Sequence, residues 1–116
     1  MIIKTVKFQN TNNLSVDYFI GRSAKDNFHI IDAAQSHDLW FHINGQPSGH
    51  VIASIPENLD KTELRYVIKQ GAVLCKQYSK FASHKNVEIV YARVTNVQKC
   101  ETLGSVSLSG SKVITI

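Results

Sequence analysis

This chain of 116 residues has little of what usually marks catalytic chemistry. Its two cysteines, Cys75 and Cys100, form neither a metal knuckle nor a redox pair by spacing, and both are read as reduced thiols. No nucleophile motif, glycine-rich phosphate loop or H-E-x-x-H spacing occurs, so an enzyme is not expected and no cofactor is implied. The apolar runs are too short to cross a bilayer, and Met1-Ile2-Ile3-Lys4 lacks the basic head and long apolar stretch of a signal peptide. A cytoplasmic protein with no membrane partner is expected. Nothing in the sequence looks low-complexity, repeated or disordered either.

What is present is ordinary globular composition, with 43% hydrophobic and 19% charged residues. That length suits a single domain over residues 1–116 that buries a core without staples. The formal net charge of +4 leans toward an anionic partner, although so modest an excess also occurs in proteins that bind none.

Along the chain, Ile2 to Phe8 and Leu14 to Ile20 are β-rich runs joined by Asn10-Thr11-Asn12-Asn13, a turn composition that predicts a hairpin. Ser23 with Asp26 three residues later predicts a helix cap, and Ala24 to Ala34 a short helix anchored by Ile30 and Ile31. A long helix should follow Pro56, with Asp60 as N-cap and Glu63 in its first turn. Leu64, Val67, Ile68, Gly71, Ala72, Cys75, Tyr78 and Ala82 recur at its spacing. Val87 to Val97 is apolar on both sides and reads as a covered central strand, and Leu103 to Leu108 with Lys112 to Ile116 reads as a last hairpin. The order describes an α+β domain, a mostly antiparallel sheet with one short and one long helix packed on it.

The stretch Asp38 to Val51 concentrates the chain's unusual residues, including the single Trp and two of the five His. Leu39, Phe41 and Ile43 alternate as a half-buried strand does, which turns Asp38, Trp40 and His42 to the opposite face. If the turn centres near Gln46, His42 lies opposite His50; a register slip of one residue separates them. Trp40, His42 and His50, with Arg22 nearby, then make a surface for stacking and phosphate binding, or else a core Trp with a His pair that fixes the hairpin. Asp38, His42 and His50 are also enough ligands for a divalent ion, the basis of a metal-dependent hydrolase reading. On the long helix Lys61, Arg65, Lys69, Lys76 and Lys80 share one arc, either a solvated face with snorkelling stems or a stripe that tracks phosphates.

Several motifs in order carry a resemblance: Gly21-Arg22-Ser23 with Asp26-Asn27, then Asp38-Leu39-Trp40-Phe41-His42, then Pro47-Ser48-Gly49-His50-Val51, then Tyr78-Ser79-Lys80, and Val87, Ile89, Tyr91, Val97 and Lys99. Together they resemble the R domain of the NFACT proteins, proposed to bind RNA, over nearly the whole chain. Phe28 stands where that family usually has an acid, Pro47-Ser48-Gly49 rearranges its usual order, and Cys100 to Gly104 shortens a loop. Large NFACT proteins join this domain to others and act on stalled large ribosomal subunits carrying tRNA, and similar R domains are fused to tRNA thiolation enzymes. The resemblance implies a stand-alone module that presents or binds tRNA or ribosomal RNA, with the ribosome or RNA-modification enzymes as partners. Its site would comprise Arg22, Asn27, Asp38, Trp40, His42, His50, Lys61, Arg65, Lys69, Lys76 and Lys80. A protein-interaction adaptor, docking by its sheet edge or by the hairpin with charge serving only solubility, is the alternative.

Overall fold

The computed structural model describes residues 1–9 and 13–116. Strands β1 (Ile2–Phe8) and β2 (Leu14–Ile20) pair antiparallel in register from Ile2 opposite Ile20 to Phe8 opposite Leu14. Residues 10–12 of the expected turn lie outside the described residues, while Asn13 has φ 63°, a left-handed conformation that Asn tolerates. Helix α1 (Ala24–Ala33) starts where the Ser23 side chain accepts from the Asp26 amide, and Asp26 returns the bond by accepting from the amide of Arg22.

Strands β3 (Leu39–Ile43) and β4 (Val51–Ser54) form the expected central hairpin, with Trp40 opposite Ile52 and Phe41 opposite Val51. Helix α2 (Lys61–Gln77) opens on a reciprocal cap in which Asp60 accepts from the Glu63 amide and the Glu63 carboxylate accepts from the Asp60 amide. It ends before Tyr78, short of the apolar repeat that runs on to Ala82, because Ser79 Oγ donates to the carbonyl of Lys76 and accepts from the amide of Phe81. Lys80 therefore stands outside the helix, which removes it from the expected stripe.

Strand β5 (Glu88–Arg93) is shorter than the continuous strand predicted over Val87 to Val97, for a short 3-10 turn over Val94–Asn96 redirects the chain. Past that turn, β6 (Val97–Lys99) pairs with β7 (Val106–Leu108) in a separate two-stranded sheet. The last strand, β8 (Lys112–Thr115), pairs with β5, Glu88 opposite Thr115. The expected terminal hairpin between Leu103–Leu108 and Lys112–Ile116 is thus not formed: its two arms belong to different sheets. The main sheet has the order β1-β2-β4-β3-β5-β8, and every described pairing is antiparallel.

Strand alternation divides the core into two layers. On one face Tyr18, Leu39, Phe41, Ile43 and Ile89 pack under Val67, Ala72, Leu74 and Cys75 of α2. Burial pushes the Cys75 thiol up to about 12, an inert core group. On the other face Trp40, Ile52 and Val90 pack under Ile30 and Ile31 of α1 and beside Val97, Val106 and Leu108 of the small sheet. β5 is covered on both sides as its sequence predicts, and the α+β architecture stands. No described helix is long and apolar enough to cross a membrane.

Candidate nucleic-acid interface

The register that pairs Trp40 with Ile52 continues one step further to set His42 across from His50, with ring centroids 5.1 Å apart and edge to face. Trp40 stacks parallel to His42, centroids 5.7 Å apart, and meets His50 edge-on at 5.3 Å. Its indole Nε1–H donates to His50 Nδ1 over 3.1 Å. Three rings from two adjacent strands thus form one cluster on the face that α1 and the small sheet cover only in part.

Beside them, the β2–α1 junction is locked to the start of β4. Asn27 Oδ1 accepts from the His50 amide at 3.0 Å, and the Gly21 amide donates to the His50 carbonyl at 2.9 Å. Neither glycine of this junction tolerates a side chain: a Cβ on Gly49 would sit 2.2 Å from the Gly21 carbonyl oxygen, and one on Gly21 would sit 2.1 Å from Asn27 Oδ1. The Ser48 hydroxyl accepts from the Ile43 amide and donates to the Gly49 carbonyl, which shapes the loop over residues 44–49.

These groups line an open cavity of about 980 Å³. Its floor includes Trp40 and His50, its flanks His42, Asn27 and the 44–49 loop, and its rim Arg22 and Lys80. The Arg22 guanidinium lies 5.9 Å from the centre of the Tyr78 ring and Lys80 Nζ 5.8 Å from that of Phe81, so aromatic faces hold both rim cations. The connection between β6 and β7 closes the far side with Leu103, Gly104 and Val106. Gly104 has φ +86°, and a Cβ there would press on Ala24 at 2.7 Å.

Desolvation sets the charge state of the imidazoles. Burial drives His50 down to about 3, with the neighbouring His42 adding in the same direction, and burial likewise lowers His42 against a smaller opposing pull from backbone groups of Ile43 and Ser48. Both are neutral at physiological pH. The cavity therefore has an uncharged aromatic floor and a cationic rim.

The structure brings together Arg22, Asn27, Trp40, His42, His50 and Lys80 of the residues singled out in the sequence. Asp38 is elsewhere. It is 2% exposed, and its carboxylate accepts from the Gln35 amide at 2.8 Å and the Ile55 amide at 3.0 Å, which joins the turn before β3 to the end of β4. Asp38, His42 and His50 form no ligand set, and among the described residues no three His, Cys, Asp or Glu side chains are placed to hold a metal ion. Trp40 is 2% exposed and so offers no free stacking platform; it orients the two His rings instead. Lys61, Arg65 and Lys69 are exposed on α2, which covers the opposite face of the sheet, whereas Lys76 is half-buried and donates to the Ile116 carbonyl at 3.2 Å. The expected five-cation stripe is in fact three exposed cations on the helix. Sequence reasoning missed Ser48 and the Leu103 to Val106 wall. The first was named only within the Pro47-Ser48-Gly49 motif, without a role, and the second depended on a strand pairing that local pattern does not specify.

Comparison with known proteins gives this arrangement a family. Among curated proteins none matches. The solved structure of the C-terminal part of the fibronectin/fibrinogen-binding protein from Streptococcus suis superposes with a TM-score of 0.80 at 18% identity, covering 98% of this chain and 45% of that one. The fold is therefore shared, and this chain spans less than half of that structure. The sequence profile of the NFACT protein RNA binding domain matches residues 4–115. With its two faces of core, its histidine-lined cavity and a match over nearly its whole length, the chain belongs to the NFACT RNA-binding domain family, a class of nucleic-acid-binding modules.

Proposed function

We propose that this domain binds structured RNA, tRNA or ribosomal RNA, in the cavity between the β3–β4 loop, the start of α1 and the β6–β7 connection. The observation that carries the reading is the pairing of an uncharged, aromatic and hydrogen-bonding floor with the rim cations Arg22 and Lys80 in one cavity. A rim of this kind holds phosphates while the floor meets a base or sugar. Lys61, Arg65 and Lys69 contribute at longer range, drawing RNA to the domain rather than fixing it. The chain acts as a binder without chemistry of its own, in the cytoplasm, presenting RNA to ribosome quality control or to RNA-modification enzymes.

Fluorescence anisotropy of labelled tRNA at low and physiological salt tests this. Binding is expected to weaken with salt, each phosphate contact adding roughly 0.7–0.9 to the log–log slope. An Arg22→Gln, Lys80→Gln double variant is expected to bind more weakly with a shallower slope. Absence of binding at low salt, with the protein folded, rejects the proposal.

A further inference from the structure

His50 carries a ring N–H donor that no described group uses. The residue is only 2% exposed, and its Nδ1 accepts from the Trp40 indole. An indole N–H only donates, so Nδ1 is unprotonated and the ring proton of the neutral form resides on Nε2. No described group pairs with Nε2, yet among the described residues no buried side-chain nitrogen or oxygen is left without a partner. Nε2–H is therefore not sealed within the core, and the space it meets is the cavity that His50 lines.

We propose that this Nε2–H is the reading atom of a subsite for a single unpaired nucleobase, which enters the cavity edge-first and accepts a hydrogen bond from His50 while lying against the half-buried ring of His42. The proposal rests on the RNA-binding reading and narrows it to a base rather than a phosphate. A neutral donor recessed on an apolar floor suits an uncharged carbonyl or ring nitrogen, whereas a phosphate brought to the same depth would lose hydration without a counter-charge there. The cations stand at the rim, where the phosphates flanking an extruded base would lie. A base in a duplex keeps its edge in the stack and cannot reach a recessed floor; an unpaired one can. The cavity volume falls within the range of about 300–1,000 Å³ usual for small-ligand sites, enough for one nucleotide. Trp40 is then a positioning residue, since it selects the tautomer that His50 presents.

The experiment compares three RNAs by anisotropy: a perfect duplex, the duplex with a one-nucleotide bulge carrying each base in turn, and the duplex with an abasic bulge. The last keeps the bend and phosphate count and lacks only the base. At least one base is expected to bind about tenfold more tightly than the abasic bulge, as one stacked and hydrogen-bonded base contributes, with no change in salt slope. His50→Gln, whose amide both accepts from Trp40 and donates, is expected to keep the preference, and His50→Leu to erase it. Should His50→Leu fail to fold, ring ¹⁵N shifts of His50 in the wild-type protein decide: a protonated Nε2 and bare Nδ1, with Nε2 moved by the bulged RNA and not by the abasic one. Equal affinity for bulged and abasic RNA overturns the base subsite and leaves the RNA reading standing, while no binding to any of the three overturns both.

Discussion

Asp38 and His50 are both 2% exposed, and the two burials do different things. Asp38 fills both of its oxygens with backbone amides, so Asp38→Ala strands one buried and one part-buried donor at once. Each charge-assisted bond of this kind is worth about 1.5–3 kcal/mol, and the variant should lose about 3 kcal/mol or more in urea unfolding. Its folded fraction should bind RNA as the wild type does, because Asp38 is not in the cavity. His50 is instead held neutral, with its pKa lowered to about 3 from the ordinary 6.5, and His42 is lowered too. Between those values the unfolded chain binds more protons than the folded one, so stability is complete above pH 6.5 and declines as pH falls toward 3. Urea midpoints measured from pH 7 to pH 4 should fall less steeply for His50→Gln, which has no proton to take up there.

Helix α2 rests on Phe41 at Gly71, where an added Cβ would lie 2.3–2.8 Å from ring carbons. Gly71→Ala gains helix propensity of roughly 1 kcal/mol but overfills a packed contact, which typically costs about 1–3 kcal/mol. Net destabilisation is expected, read as a lower denaturation midpoint. On the same helix, Lys61→Gln, Arg65→Gln and Lys69→Gln together should weaken tRNA binding less than the Arg22→Gln, Lys80→Gln pair, measured by anisotropy across salt. The caps of both helices were legible because they depend on residues three positions apart, Ser23–Asp26 and Asp60–Glu63. The β3–β4 hairpin was legible too, but its register was open to a slip of one residue, which only the observed pairing closes with His42 opposite His50. The terminal strands were not. Three-residue strands such as β6 and β7 carry no periodicity, and the turn-like Ser109-Gly110-Ser111 fits a hairpin as well as the crossing it makes, where the Ser109 amide donates to the Asn96 carbonyl.

Across the whole molecule the six-stranded sheet is shared by both cores, so neither layer has an independent floor. Trp40 belongs to one core and its neighbour Phe41 to the other. Unfolding followed by Trp40 fluorescence and by far-ultraviolet circular dichroism should therefore give coincident transitions. The lock between Asn27 and the His50 amide, with Gly49 seated against the Gly21 carbonyl, extends the same interdependence to the cavity. Nothing in residues 38–51 alone supplies that lock, even though the three clustered rings all come from this segment. A synthetic hairpin of the segment would carry the whole vocabulary of the cavity and none of its grammar: the rings would be present, but the recess that holds them is written jointly with Gly21 and Asn27 from upstream.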